Sequence, residues 1–338
     1  MPDRRSFVRL AAGASAASLL PACRDEPTGP RWQASAAVKS ERSEVAVLSA
    51  TYESDLGDVI RRGIELMGLD VRGLRVVLKP NFVEFDPDGV INTHPAVVHG
   101  TIEALRLLGA ASVVVAEGAG HRRDTEYLLR ETGIGFALRD TRTRFIDLNH
   151  DAVRRTPLLG QYTPLGSLYL PDTVLGADLL ISLPKLKTHH WAGVTLSMKN
   201  MFGIVPGSHY GWPKNVLHWA GISESILDIN ATLTSLRRFA IVDGIVGMEG
   251  NGPIQGEARP VGALIFGADP VAVDATGCRL MRIDPAKIDY IADASRFLGN
   301  LHADRIDQRG EAIADLSQDF AVIDPFASAK QAAEVTGS

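Results

Sequence analysis

Short apolar runs and helical periodicities alternate along this chain. Val45-Ala46-Val47-Leu48, Leu74-Arg75-Val76-Val77-Leu78 and Val113-Val114-Val115-Ala116 are apolar runs of strand length. Between them the period changes. Leu56, Val59, Ile60, Ile64 and Met67 share one helical face, which predicts a helix over Asp55–Met67. A second helix starts at Thr93-His94-Pro95, where proline suits the first helical position, and runs to about Leu108. Asp124 to Thr132 predicts a third.

Beyond Gly133 the pattern is less regular, and Phe145–Leu148 and Leu168–Leu170 read as strands of a small insertion. Asp178–Leu183 returns to the main sheet. Ile222, Ile226, Ile229 and Leu233 form the stripe of a clear helix, and Phe239–Val242 is a strand ending at Asp243-Gly244. A glycine-rich loop is expected over Gly247–Gly256, then a strand at Leu264–Phe266 and a helix over Val271–Met281. Asp284-Pro285 opens a last helix towards Leu298. Strands alternating with helices predict an α/β fold: a mostly parallel sheet flanked by helices, with a small irregular or antiparallel insertion.

In such sheets ligands bind beyond the carboxyl ends of the strands. Those ends carry Lys79 and Asn81, Glu117 and Gly118, Lys185 and Lys187, Asp243, and Asp269. Loops are polar anyway, so each position alone says little; together they predict one cleft.

The stretch Ile181–Gly207 is the most concentrated. In an extended chain Lys185, Lys187 and His189 point one way and Leu186 and Thr188 the other. After a turn at His190–Gly193, the same alternation sets Thr195, Ser197 and Lys199 opposite Val194, Leu196 and Met198. No acid occurs from Lys185 to Gly207, so the stretch reads as the basic wall of a pocket for an anionic group. His189 and His190 face opposite sides in extended chain, and His189 shares its face with the lysines. One histidine of the pair is therefore expected in the site. Adjacent histidines do not have the spacing of a metal site, and no metal is expected. His94 and His218 are further candidates, although capping accounts for either.

Composition narrows the function class. The chain has 338 residues, 45% of them hydrophobic and 22% charged, ordinary for a globular protein. Its net charge of −5 gives no basic footprint for nucleic acid, so the cationic stretch favours a small anionic ligand. Cys23 and Cys278 are the two cysteines, too few for an iron–sulfur cluster ligated by this chain alone. No GxSxG elbow is present and Cys278 sits mid-helix among apolar residues, which disfavours a serine or cysteine nucleophile. Glu117, Asp243 and Asp269 supply candidate carboxylates. A lysine crowded by others has a lowered proton affinity and can act as base or Schiff-base former.

Asp3-Arg4-Arg5-Ser6-Phe7-Val8-Arg9 carries the paired arginines of a twin-arginine signal, followed by a weakly apolar run to Leu20. Leu20-Pro21-Ala22-Cys23 resembles a lipobox whose cysteine is acylated, with Pro21 departing from the usual small residue. The expected organisation is a signal over 1–22, a tether over 23–43, one α/β domain over 44–326 and a frayed tail over 327–338. The expected location is the periplasm or cell envelope. The export machinery, and the membrane through an anchor at Cys23, are the expected partners.

Lys79-Pro80-Asn81, Thr93-His94-Pro95, Pro184–His189, Ser197–Gly203 and Asp269–Ala275 resemble the family catalogued as domain of unknown function 362. The resemblance covers about Val45 to Leu298. It implies an α/β fold without a settled activity, and site residues Lys79, Asn81, His94, Lys185, Lys187, His189, Lys199, Asn200 and Asp269. Many relatives carry ferredoxin-type modules, and this chain lacks their cysteines. Asp274, mid-helix, reads as a buried structural acid.

The expected function is thus an exported enzyme acting on a small carboxylated or phosphorylated molecule. Lys79, Asn81, His94, Lys185, Lys199, Asn200 and Asp243 would bind it, and Lys187, His189, Glu117 and Asp269 would act in catalysis. The alternatives are a non-catalytic lipoprotein that binds an anion or cofactor, and an accessory protein for redox cofactor maturation. The cofactor is left open.

Overall fold

The apolar runs become strands whose alternate side chains feed two cores, one on each face of a sheet. The computed structural model describes residues 29–120 and 124–331. The twin-arginine stretch, Cys23 and residues 332–338 lie outside the described residues. The chain opens with β1 (Ser43–Ser49), α1 (Leu56–Leu66), β2 (Arg75–Pro80), α2 (Pro95–Leu107) and β3 (Ser112–Glu117). Next come α3 (Thr125–Glu131), α4 (Ile134–Asp140), β4 (Arg144–Asp147), β5 (Val153–Pro157), β6 (Ser167–Pro171) and the turn α5 (Asp172–Leu175). The central part holds β7 (Leu179–Leu183), β8 (Lys185–His189), β9 (Gly193–Thr195), α6 (Ser197–Asn200), α7 (Gly207–Tyr210), α8 (Asn215–Trp219) and α9 (Ile222–Thr232). It closes with β10 (Arg238–Asn251), β11 (Gln255–Gly267), α10 (Pro270–Leu280), α11 (Asp289–Ala294) and β12 (Ile306–Gly310).

The main sheet runs β12-β1-β11-β10-β7-β2-β3-β4, with β8 and β9 extending from β10. Every neighbouring pair on the main path is parallel except those of β11, which is antiparallel to both β1 and β10. β5 and β6 form a separate antiparallel pair. The fold is therefore α/β, with a largely parallel sheet, flanking helices and an antiparallel region.

Ala46, Val76, Leu78 and Ile181 pack against the apolar faces of α1 and α2. Val45, Val47, Val77, Leu180 and Val242 point the other way, towards α9 and α10. Burying each of these valine, leucine and isoleucine side chains contributes about 1.5–3 kcal/mol. Helix starts follow their capping residues: Asp55 accepts from the Asp58 N–H at 3.0 Å, and Asp269 from Val271 and Ala272 at 2.8 and 3.1 Å.

Several expectations are corrected. The strand at Phe145–Leu148 belongs to the main sheet, parallel to β3, because a whole helical crossover (α3 and α4) precedes it. Gly247–Gly256 is not a loop but the end of the long β10–β11 hairpin, whose ladder continues through Met248↔Ala258 to Asn251↔Gln255. The helix expected after Asp284 shortens to a 3-10 turn at Pro285–Lys287 and α11. The tether is docked from Trp32 onward: its indole stacks on Phe297 with centroids 4.5 Å apart, and the Gln33 N–H donates to Leu159 at 2.8 Å. The start of the tail is docked too, with Ala329 buried and Lys330 bridged to Ile283. Apolar anchors inside polar segments are what pattern reading underweights. Among the described residues, no helix is long and apolar enough to cross a membrane.

Candidate functional site

The carboxyl ends of β2, β3 and β7 meet over the short helix α6. Asp274 fixes that helix from beneath: its carboxylate accepts the N–H groups of Ser197 (2.7 Å) and Met198 (3.1 Å), the first two of α6. Lys199 and Asn200 therefore present from a capped turn, not from the strand that alternation predicted; the strand pairing ends with Thr195. The carboxylate reaches the site as a support, in keeping with a structural acid.

Beneath the site Lys79 and Glu117 form a buried ion pair. Lys79 Nζ also donates to Asn200 Oδ1 at 3.0 Å, and Asn200 Nδ2 returns donations to the Lys79 carbonyl and Ser182 Oγ, both at 3.1 Å. Gly203 closes over this pair. A Cβ there would come within 2.1 Å of Glu117 Oε1 and 2.5 Å of Lys79 Nζ, so the close approach requires glycine.

Above the pair lies a cavity of about 180 Å³. Of the sequence-predicted residues, Lys79, Asn81 and Glu117 line it, as do Lys187, His189, Lys199 and Asn200. Lys187 Nζ donates to the carbonyls of Ile91 (2.8 Å) and Pro253 (3.2 Å), tying the loop after β2 and the β10–β11 tip to β8. Lys199 Nζ lies 4.2 Å from the centre of the Phe202 ring. Burial pushes the Lys187 and Lys199 ammonium groups down, Lys187 well below its ordinary value and Lys199 to about 8, and neighbouring lysines push in the same direction.

Sequence reasoning missed Lys214 altogether, preferred His189 over His190, left His218 to capping and placed Thr195 on the polar face without making it a site residue; all four line the cavity. Lys214 Nζ donates to the carbonyls of Gly118 (2.9 Å) and Phe202 (3.0 Å), and burial lowers its pKa to about 7. It lies beyond the basic stretch in an irregular segment that no strand end marks. Both histidines of the pair line the cavity, because β8 ends at His189 and the chain turns at His190. Only pure extended geometry would have separated them.

Hydrogen bonding assigns the two rings opposite tautomers. His189 Nδ1 accepts the N–H groups of Trp191 (3.0 Å) and Ala192 (3.2 Å), and burial holds its pKa well below the ordinary value. The neutral ring thus carries its proton on Nε2. His190 Nδ1 faces the Gly252 carbonyl at 2.7 Å and must donate, which leaves the neutral ring's Nε2 as an acceptor. A hydrogen-bond donor and a base line one cavity.

Two buried polar atoms of the wall have no partner among the described residues: Asn81 Oδ1 and Thr195 Oγ1. Buried polar groups are almost always hydrogen-bonded, so an orphaned pair at a cavity marks where a ligand or solvent completes the site.

Four predicted residues are elsewhere. Lys185 Nζ donates to Asp243 Oδ2 (2.9 Å) and to the Tyr52 hydroxyl (2.8 Å), and Tyr52 in turn donates to Asp243 Oδ1 at 3.2 Å. The His94 N–H also donates to Asp243, its Nδ1 accepts from Ala96 as an N-cap, and its ring stacks on Tyr52. This network lies outside the cavity lining. Lys185 and Lys187 part because the β8–β10 register jumps from Asp243↔Lys185 to Met248↔Lys187, and such a bulge twists the strand. Asp269 lies at the opposite edge of the sheet, since β11 runs antiparallel; there it caps α10 and accepts from Ser43 Oγ and from the Asn300 N–H at 2.8 Å. Among the described residues no group of three or more His, Cys, Asp or Glu is placed to hold a metal ion.

A family model described as domain of unknown function (DUF362) matches residues 76–279, and the chain belongs to that family. The chain is 34% identical over 137 residues to a thylakoid-associated protein of Synechocystis sp., covering 38% of this chain and 40% of that protein. It thus spans less than half of that relative's length. Among solved structures, the lactate racemase apoprotein from Thermoanaerobacterium thermosaccharolyticum aligns over 71% of this chain and 57% of its own, with 16% identity and a TM-score of 0.45. A Thermotoga maritima protein aligns over 69% and 60%, with 13% identity and a TM-score of 0.37.

Proposed function

We propose that this protein is an enzyme that binds a small carboxylated or phosphorylated molecule in the lysine- and histidine-lined cavity and moves a proton on it. The observation that carries the proposal is the imbalance of charge. Lys79, Lys187, Lys199 and Lys214 line the cavity, whereas the one carboxylate among its described lining residues, Glu117, is already paired with Lys79. Burial lowers the proton affinity of all four lysines, neighbouring lysines add to the effect at Lys187, Lys199 and Lys214, and an anion would reverse that penalty. Asn81 Oδ1 and Thr195 Oγ1 supply unfilled hydrogen-bonding positions. His189 offers Nε2–H to an oxygen of the substrate, and His190 Nε2 is the proton acceptor.

Calorimetric titration with small carboxylates and inorganic phosphate tests the binding half. Saturable binding lost in Lys199→Met is expected; absence of binding, or equal binding by that variant, refutes it. Incubation with a metabolite extract, followed by mass spectrometry, tests the catalytic half. A ligand recovered unchanged would instead define a binding protein.

Export belongs to the same proposal. Arg4-Arg5 and Cys23 supply the signal and the acylation site of an envelope lipoprotein. The relative named for its association with thylakoids is in keeping with a membrane setting. Cell fractionation is the test: Cys23→Ser should release the protein from the membrane fraction, and an unchanged distribution would remove the anchor.

A further inference from the structure

The four described lysines of the cavity are not equivalent as nucleophiles. Lys79 Nζ is taken by Glu117 and Asn200 Oδ1. Lys187 and Lys214 each donate to two backbone carbonyls. Lys199 Nζ makes no hydrogen bond or ion pair to any described residue, and its contact is the face of Phe202. Lys79, Lys187 and Lys214 are 1%, 0% and 3% exposed, whereas Lys199 is half-buried at the cavity wall.

A lysine nitrogen that enters a C=N bond gives up both N–H groups of its free amine. For Lys187 or Lys214 that would strand two carbonyls, each losing a partner in a desolvated setting. For Lys199 it strands none. Building on the anion-handling reading above, we propose that Lys199 is a covalent amine that forms an imine with the carbonyl of a small oxo acid or of an aldehyde bearing an anionic group.

The step balances within the cavity's own groups. The Lys199 lone pair attacks the carbonyl carbon, forming C–N while the carbonyl π pair moves onto oxygen. His190 Nε2 takes a proton from the resulting ammonium and passes it to that oxygen, giving a carbinolamine. The second nitrogen proton follows the same route, the C–O bond breaks, and the oxygen leaves as water. Nothing is oxidised or reduced. His189 Nε2–H stabilises the oxygen while it carries charge. The anionic end of the substrate faces the remaining lysines, which orients the carbonyl towards Lys199. Burial and the neighbouring Lys79 bring Lys199 to about 8 from the ordinary 10.5, so a usable fraction is free amine near neutral pH.

Reductive trapping tests this on the full chain. The protein is incubated with glyoxylate and cyanoborohydride, then digested and mapped by mass spectrometry, with and without excess oxalate, an anion that has no reactive carbonyl. The expected result is a carboxymethyl group on Lys199 at an extent at least about tenfold above that on the exposed Lys287, suppressed by oxalate. Labelling centred on Lys187 or Lys214, or spread evenly over exposed lysines, overturns the assignment. Oxalate binding without any glyoxylate adduct overturns the imine and leaves the anion-handling reading standing. Failure of both anions to bind removes the two together.

Discussion

Lys79 and Glu117 meet as a buried ion pair at the adjacent carboxyl ends of β2 and β3, 1% and 2% exposed. Each side chain comes from a residue at or next to the end of its strand, and Asn200 ties the lysine to α6. The floor of the cavity is therefore made by the sheet itself, and the turns above it supply the remaining wall. Glu117→Gln should destabilise the protein by about 3–5 kcal/mol, because an uncompensated ammonium is left in the core. Lys79→Met combined with Glu117→Leu should cost much less than the sum of the single changes. Urea unfolding of the double-mutant cycle measures the coupling, and strict additivity would contradict a buried pair.

Gly203→Ala should act on the same pair from above. Its Cβ would overlap the tips of Glu117 and Lys79, which are held by each other and by Asn200 and can yield only by disturbing those contacts. A loss of about 1–3 kcal/mol is expected from overpacking. Gly57→Ala in α1, where the nearest atoms stand at an ordinary 3.4 Å, should be neutral or slightly stabilising. Equal melting temperatures for the two variants would show that the close approach at Gly203 is unimportant.

Protonation of the cavity lysines should make stability rise with pH. Folded Lys214 titrates near 7 and folded Lys199 near 8, whereas both return to about 10.5 when the chain unfolds. Between those values the unfolded chain binds more protons, so stability increases with pH across that window. The penalty is complete below about 7 and gone above about 10.5. Urea midpoints for the wild type and Lys214→Met should therefore diverge less as pH increases from about 6 to 10 if the lysine is the cause. Anion affinity should run the other way, falling by up to about tenfold per pH unit for each lysine that must be protonated to bind. Parallel stability curves for the two proteins would place the titration elsewhere.

Much of this frame was legible in the sequence, and the failures have definite causes. The strand ends at Lys79–Asn81 and Glu117 were readable because parallel strands end where apolar runs stop, and both sets of residues line the cavity. Asp269 misled because the direction of β11 is not written in its composition; an antiparallel strand sends its carboxyl end to the opposite edge. Lys185 misled because alternation assumes a regular ladder, and the register break opposite β10 separates it from Lys187. Lys214 was invisible because its placement depends on short turns between α6 and α9 that carry no periodicity. Strand ends are a local property of the sequence, while strand direction and register are properties of the pairing.

Asp274 should prove to be a positioning residue for Lys199 and Asn200. Its two oxygens hold the Ser197 and Met198 N–H groups at 2.7 and 3.1 Å, and these open the single turn that carries the cavity residues. Asp274→Ala leaves two buried donors unpaired, each costing about 1–3 kcal/mol, whereas Asp274→Asn keeps one acceptor oxygen in place. Stability alone cannot separate positioning from ordinary support, so a matched control is needed. Asp228 also accepts buried backbone N–H groups, those of Tyr162 (3.1 Å) and Thr163 (2.8 Å), but it does not line the cavity. Asp274→Asn and Asp228→Asn should both lower the urea midpoint. The expected difference lies in binding: only the first should weaken anion affinity, measured calorimetrically at a pH where both variants are fully folded. Unchanged affinity in Asp274→Asn would reduce Asp274 to a packing role and leave α6 held by other contacts.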